Sequence, residues 1–489
     1  MLFSSITFLG FFLPIVLAGY WLCPSLRWKN AFLLLASLLF YAWGEPRFIL
    51  VMLVSIALNF GAGLYLGREG APLRKWVLAL AVASDLSVLF CFKYLGFALS
   101  TADDLLSALR LHRLPVISFA LPLGISFYTF QAISYVVDVY KTPFLVQKNI
   151  CSLGLYIAFF PQLVAGPIVR WHDIRVQMSH RVHSVSGFAE GLSRFIVGLS
   201  KKVLLANVFA RVCDTFYGAD FSDYGTPEAW IACLAYALQI YYDFSGYSDM
   251  AIGLSRLFGF RLLENFDFPY AASSVTGFWR RWHISMTSFF RDYLYIPLGG
   301  NRLGKWRTVF NRYFVFFATG LWHGAAWSFV LWGLLHGTLM TVERAVVQRP
   351  GWASWPKTRF PRVFFSCLGR LYTLLSVAFL WILFRNPARQ SAVLLLKMFG
   401  VNYSWFTDKC YPWTHSTYLL LSLDARFWFC AILGILFAFP WWRRLPAPSS
   451  PAVTISLRAA RHACLLILFV LCWASLANGS YNPFIYFRF

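Results

Sequence analysis

Two histidines near the middle of the chain lie in apolar, aromatic-rich sequence. His283 ends the stretch F-W-R-R-W-H, and His323 lies in G-L-W-H-G. A histidine at membrane depth is costly to desolvate, so its retention there indicates a function. Because imidazole changes its charge near neutral pH, the pattern predicts proton transfer at these two residues.

Each histidine also has a structural interpretation, because a lone buried histidine is commonly a hydrogen-bonded core group. Gly320 and Gly324 flank His323, however, and glycines let another backbone or a ligand approach the ring. His336 lies farther along the same apolar run and is assigned to packing between helices.

Asp243 and Asp249 lie in the hydroxyl-rich sequence Y-Y-D-F-S-G-Y-S-D at the end of an apolar run. In the functional interpretation they line a reaction cavity and orient a substrate or the essential histidine. In the structural interpretation they pair with arginines of the following segment. The two interpretations are compatible, and the sequence leaves both open.

Trp279, Arg280 and Arg281 directly precede Trp282 and His283. Guanidinium groups suit bidentate contacts with phosphate, and neighbouring aromatic rings suit a flat base or an acyl chain. Alternatively, these residues anchor the chain at the membrane interface, with the charged ends reaching water. The histidine beside them favours a substrate-binding site.

The composition excludes a soluble fold. The 489 residues are 59% hydrophobic and 13% charged, whereas soluble proteins are about 25% charged. We therefore expect a polytopic, all-α membrane protein. The net charge of +23 comes largely from basic residues in short loops beside apolar runs, which indicates contact with anionic membrane lipid and not with nucleic acid.

Metal binding and serine hydrolysis both lack their sequence patterns. The ten cysteines form no C-x-x-C pair, and no histidines have H-x-x-x-H spacing, so no metal site is expected. The G-x-S-x-G pattern of a nucleophilic serine does not occur either.

Ten apolar runs are long enough to cross a membrane. They are 6–23, 48–66, 76–99, 114–140, 150–169, 228–254, 309–335, 363–384, 417–440 and 459–477. Two further stretches, 31–44 and 188–209, are short or interrupted by charges, so about eleven transmembrane helices are expected. The segment 265–312 is too polar for a span and too aromatic for a solvated loop. We expect it to form re-entrant or interfacial helices that line a cavity.

Several motifs resemble the membrane-bound O-acyltransferase (MBOAT) superfamily. They include R-R-W-H, L-W-H-G, the stretches 159–168, 241–253 and 291–300, and the C-terminal stretch 483–489. Within the superfamily, the sequence is most similar to bacterial proteins that O-acetylate exported alginate and cellulose; D-alanyl transferases of lipoteichoic acid are more distant. The resemblance implies a single domain over 1–489: N-terminal helices in 1–140, a catalytic core in 150–347 and C-terminal helices in 360–489.

The resemblance also implies a mechanism and partners. Tilted helices would form a central funnel with His323 at its narrow point. Acetyl-CoA would be the cytoplasmic donor substrate, with no permanently bound cofactor. A periplasmic acetyltransferase partner would complete transfer to the polysaccharide. This places the protein in the bacterial inner membrane.

The implied chemistry agrees with the residues. His323 is the expected general base, because a desolvated imidazole stays neutral and can take a hydroxyl proton. His283 has a second catalytic or positioning role, and Trp322 or the Arg280/Arg281 pair supplies donors to the oxyanion. No acyl-carrying nucleophile adjoins either histidine, which favours direct transfer.

Three other functions remain open from the sequence. One is a transporter of lipid-linked sugar or polysaccharide in which the histidines relay protons. Transporters often contain inverted repeats, and the sequence shows none. The others are a D-alanyl transferase and a non-catalytic scaffold for periplasmic partners.

Overall fold

A computed structural model gives the fold of the chain except for residues 112, 116, 118, 220–224, 348–358, 402–422, 445–449, 480 and 484–489. In the part of the chain that the structure describes, every regular element is a helix. This confirms the all-α prediction. The helices form two compact units, Met1–Phe195 with Tyr247–Leu263, and Ile196–Gly246 with Glu264–Phe489.

Among its described residues, the first unit contains nine complete α-helices. They are α1 (Leu13–Leu22), α2 (Leu26–Gly44), α3 (Ile49–Leu66), α4 (Arg74–Leu89), α5 (Leu95–Ala108), α6 (Ile125–Lys141), α7 (Ile150–Ala158), α8 (Phe160–Leu163) and α9 (Trp171–Ser179). The unit also includes most of α10 (Val185–Ser200) and the end of α12 (Thr226–Leu257).

The second unit carries both candidate histidines. It contains α11 (Asn207–Gly218), most of α12, α13 (Val275–Trp279), α14 (Ile284–Phe290), α15 (Lys305–His323), α16 (Trp327–Val347), α17 (Arg359–Arg385), α18 (Ala388–Met398), α19 (Ala425–Phe437) and α20 (Pro451–Ala477). A π-helical segment, Lys201–Ala206, joins α10 to α11 without a break in the helix.

Five helical segments in the described ranges are long and apolar enough to cross a membrane. They are Ile49–Leu66, Arg74–Ala108, Val363–Arg385, Ala425–Arg443 and Val453–Ala477. The chain is thus a helical membrane protein, but the expected number of about eleven spans is not confirmed.

Among the described residues, three of the predicted spans are not continuous helices. The run 114–140 is helical only from Ile125. The run 150–169 ends its helix at Ala158, where Phe159 has non-helical backbone angles and Pro161 lies in the next, four-residue helix. The run 309–335 breaks at Gly324, whose extended backbone separates α15 from α16. Hydropathy continues across both breaks, so the apolar pattern did not reveal them.

Helices α15 and α16 form a close hairpin. Gly320 of α15 lies so near the Phe329 carbonyl oxygen that a Cβ there would collide with it, and Gly333 of α16 has the same relation to the Phe316 carbonyl. Such close backbone approach needs residues without side chains. The hairpin fixes the position of His323, the last residue of α15.

The segment 265–312 contains only short helices before α15 begins at Lys305, in line with the sequence prediction that it is no simple span. Helix α13 has five residues and α14 has seven, followed by the π-helical turn Arg291–Tyr295. Between the two helices, His283 adopts left-handed backbone angles (φ 46°), as Phe268 does earlier in the segment. This irregular backbone places His283 against the end of α15 and against Phe244 of α12.

Candidate active site

The imidazole rings of His283 and His323 come together within the second unit. Their centroids lie 6.3 Å apart and their planes are inclined at 59°. Trp322 contacts both rings, at 5.7 Å from His283 and 4.9 Å from His323. The two predicted catalytic histidines and the predicted Trp322 therefore form one cluster.

Aromatic side chains enclose His323. The rings of Trp332 and Phe384 lie 5.2 Å and 5.0 Å from its imidazole, and only 6% of the residue is exposed. A neutral imidazole is favoured in such apolar surroundings because burial penalises the charged form. A neutral imidazole is also the form that accepts a proton.

His283 is fully buried, and Asn265 holds it. The Nδ1 atom of His283 lies 3.2 Å from the Asn265 Oδ1 atom, and the ring of Phe244 packs 4.7 Å away. Asn265 was not singled out in the sequence, because one asparagine in an irregular segment has no periodic signature.

His336 is a third buried histidine in this part of the second unit. Its Nδ1 atom accepts a hydrogen bond of 3.2 Å from the Trp279 Nε1–H group. Its ring lies 4.9 Å from Trp332, which in turn contacts His323. The side chain of His336, which belongs to α16, packs against α13, consistent with its assignment to helix packing. It also lies between Trp279 and the ring of Trp332, which contacts His323.

The two aspartates of α12 have cationic partners of different kinds. Asp243 forms an ion pair of 2.7 Å with Lys202, and both side chains are almost fully buried. In the first unit, Asp249 accepts from Arg194 at 2.7 Å in a more exposed pair. The structural interpretation expected arginines from the following segment, but both partners come from the preceding helical stretch. The sequence showed charges interrupting this stretch but did not indicate which residues they pair with.

The two predicted arginines lie in different surroundings. Arg280 is exposed, whereas Arg281 is half-exposed and donates to the Asp267 backbone carbonyl at 3.4 Å. Asp267 also pairs with Arg443 at 2.9 Å. Trp279, which directly precedes these two arginines in the chain, is buried against His336. The structure thus brings Trp279 and Trp322 to the histidine cluster and leaves Arg280 at the surface.

Glu343 is a further residue that the sequence analysis missed. Its carboxylate oxygens accept from the backbone N–H groups of Val275 and Thr276 and from the Thr276 hydroxyl. These are the first residues of α13, where backbone donors have no partner within the helix. Glu343 of α16 therefore fixes the short helix that carries Trp279.

Comparison with known proteins identifies the family. Residues 147–382 match the model of the MBOAT, membrane-bound O-acyltransferase family. The chain is 36% identical over 504 residues to "Probable alginate O-acetylase AlgI" of Pseudomonas putida, with 100% of both chains covered. The chain belongs to the membrane-bound O-acyltransferase family.

Two relatives carry names with other acceptors. The "Peptidoglycan O-acetyltransferase" of Helicobacter pylori is 35% identical over 437 residues, covering 82% of this chain and 80% of that one. The "Teichoic acid D-alanyltransferase" of Bacillus subtilis is 27% identical over 244 residues, covering 45% and 58%. This MBOAT protein is accordingly a membrane-bound acyltransferase.

The histidine cluster contains ring nitrogens that can accept or donate a proton. The matched range contains His283, His323 and His336. Acyl transfer needs an acceptor for the hydroxyl proton and donors for the oxyanion. The described residues of this MBOAT protein contain no group of His, Cys, Asp and Glu that could hold a metal ion.

Proposed function

We propose that this acyltransferase takes acetyl groups from acetyl-CoA on the cytoplasmic side of the bacterial inner membrane. It passes them on for O-acetylation of an exported polysaccharide, and alginate is the first candidate. The observation that carries the proposal is the buried pair of His283 and His323. The name of the Pseudomonas putida relative, with full coverage of both chains, supports an acetyl group and alginate.

In the proposed step, an acceptor hydroxyl attacks the thioester carbonyl carbon. A C–O bond forms, the C–S bond breaks, and the hydroxyl proton moves to His323. The thiolate leaves with a proton returned from the same imidazole. Direct transfer needs no acyl-enzyme, so the step balances without a further reactant.

The other predicted residues receive roles that suit their positions. Trp322 contacts both rings and would line the acyl pocket or donate its N–H to the oxyanion. Trp279 shapes the wall through His336. Exposed Arg280 would contact donor phosphates, and Arg281 would assist it from its position beside Asp267.

Asp243 and Asp249 would hold the wall formed by α12. Their ion pairs join α12 to α10 through Arg194 and to the π-helical segment through Lys202, which supports a positioning role over direct substrate contact. The immediate acceptor would be a periplasmic acetyltransferase partner, which completes transfer to the polysaccharide.

Labelled donors test this function directly. Membrane vesicles that contain the wild-type protein and its polysaccharide machinery are supplied with radiolabelled acetyl-CoA. The proposal predicts label in alkali-labile esters of the polysaccharide, and none when His323→Ala replaces the wild type at matched protein level. Incorporation of D-alanine instead, or polymer export that fails in the variant while ester transfer persists, would contradict it.

The acceptor needs its own experiment because relatives are named for different glycans. Ester content is measured separately in alginate, in cellulose and in peptidoglycan from wild-type cells and from cells that lack the gene. We expect loss from alginate. If esters are lost from peptidoglycan alone, alginate is not the acceptor, and the acceptor is the one in the name of the Helicobacter pylori relative.

A further inference from the structure

Asn265 contacts three consecutive residues at the turn that carries His283. Its backbone carbonyl accepts from the Ile284 N–H at 3.0 Å. Its side-chain Oδ1 atom lies 2.8 Å from the Ser285 Oγ atom and 3.2 Å from the Ser285 backbone nitrogen. These contacts surround the left-handed backbone of His283, a conformation that costs energy outside glycine and needs support.

The Ser285 contact settles the orientation of the Asn265 amide. A backbone N–H only donates, so the side-chain atom facing it must be the oxygen and not the nitrogen. The same oxygen faces His283 Nδ1 at 3.2 Å. An oxygen without a hydrogen accepts only, and Nδ1 must therefore carry the hydrogen of the imidazole.

The tautomer of His283 follows from this contact. A neutral imidazole has one N–H group, so a hydrogen on Nδ1 leaves Nε2 with a lone pair. His283 is fully buried, and no described residue is a hydrogen-bond partner of its Nε2 atom. Such a buried acceptor is costly unless a bound molecule supplies the hydrogen.

The surroundings of His283 favour the neutral ring. Its ring contacts those of Phe244, Trp322 and His323, of which only His323 is ionisable. No described carboxylate forms an ion pair with His283 in the structure. Nothing in the contacts thus stabilises an imidazolium at this position.

We propose that Asn265 is a positioning residue, which fixes His283 in the tautomer with an unprotonated Nε2 atom. This Nε2 atom then accepts a hydrogen bond from the reacting hydroxyl beside His323. The inference rests on the proposed function and assigns the second role of the histidine pair. His283 orients the hydroxyl, and His323 takes its proton.

His336 provides an internal contrast. Its Nδ1 atom accepts from Trp279, so its hydrogen lies on Nε2, opposite to the arrangement at His283. One short segment, from Asn265 to His283, thus sets both tautomers, one through Asn265 and the other through Trp279.

The tautomer is measured by nitrogen NMR on the full-length protein with labelled histidine in detergent. The His283 signals are assigned by their loss in His283→Gln. We expect a protonated Nδ1 and a bare Nε2 in the wild type and in Ser285→Ala, which keeps the Asn265–His283 contact. Asn265→Leu should give a mixture of tautomers.

A wild-type His283 with its hydrogen on Nε2, or an unchanged tautomer in Asn265→Leu, would overturn the proposal. This readout requires no catalysis. It therefore separates failure of the Asn265 role from failure of the acetyltransferase function.

Kinetics with acetyl-CoA and the polysaccharide machinery provide the second readout. We expect Asn265→Leu to lower kcat by about 10²-fold with little change in KM, because the hydroxyl loses its orientation. Asn265→Asp should retain the tautomer but move the acid limb of the pH–rate profile to higher pH, since a carboxylate stabilises the imidazolium.

A merely structural asparagine would behave differently. Both variants would then lower the thermal midpoint in detergent, and the remaining activity would keep the wild-type pH profile. That result would also overturn the positioning role.

Discussion

The imidazoles of His283 and His323 lie 6.3 Å apart between ring centroids, one at an irregular turn and the other at the end of a helix. Neither the turn nor the helix end alone would fix the positions of the two rings. The turn is held by Asn265, and the helix end is held by its close packing on α16. Each support can be tested separately from the histidines.

The three buried histidines should respond differently to the same substitution. We expect His323→Gln to lower kcat for acetyl transfer by about 10²–10⁴-fold, the usual contribution of a general base. His336→Gln should cost less, because His336 contacts Trp332, which lies between it and His323. The measurement is the transfer rate at matched protein level, and an equal loss in both variants would contradict the assigned roles.

Gly320 should not tolerate a side chain. A methyl group there would collide with the Phe329 carbonyl and force α15 and α16 apart beside His323. We expect Gly320→Ala to lower both the thermal midpoint in detergent and the transfer rate. Gly61→Ala is the matched control, because its Cβ would meet no atom within 4 Å. Wild-type behaviour of Gly320→Ala would show that the hairpin is looser than described.

The buried pair of Lys202 and Asp243 should be more important for stability than the pair of Arg194 and Asp249. Removing one member of a buried pair leaves an uncompensated charge and costs about 3–5 kcal/mol. We therefore expect Lys202→Met to lower the thermal midpoint strongly, whereas Arg194→Met affects a more exposed pair and has a smaller effect. The double variant Lys202→Met/Asp243→Leu should recover much of the loss. An additive loss in that variant would argue against a coupled pair.

The hydrogen bond of His172 should make the stability of the first unit depend on pH. Its Nδ1–H group donates to Asp138 at 2.8 Å, which raises the pKa of the His172 imidazole above its ordinary value of 6.5 despite partial burial. Because the folded-state pKa is raised, the stabilisation is complete below pH 6.5 and is lost as the pH rises through the folded-state pKa.

The measurement is the thermal midpoint in detergent across that pH range. We expect His172→Gln to remove part of the decline above pH 6.5, with a modest size because the side chain is 41% exposed. A steeper decline in the variant than in the wild type would contradict the assignment.

Much of the fold could be predicted because it depends on local composition. Apolar runs predicted the helices α3 and α20, and the mixed polarity of 265–312 correctly excluded a simple span. The break at Gly324 could not be predicted in this way. Its neighbours stay apolar, and hydropathy does not distinguish one long helix from two that pack as a hairpin.

The site was predictable where a residue type is unusual for its surroundings. His283 and His323 stand out in apolar sequence, but nothing local indicates that their rings are neighbours. Lys202, Asn265 and Glu343 each act on a residue in another element of the structure. Such pairings depend on tertiary packing, and a single sequence contains no periodic signal for them.

The acetyl-ester content of the secreted polysaccharide tests the proposed role of His323 most directly. Cells that express wild-type protein are compared with cells that express His323→Ala at matched membrane level, with polymer yield measured in parallel. We expect normal polymer yield with the esters lost in the variant. Esters at the wild-type level, with His323 absent and the protein still folded, would contradict it.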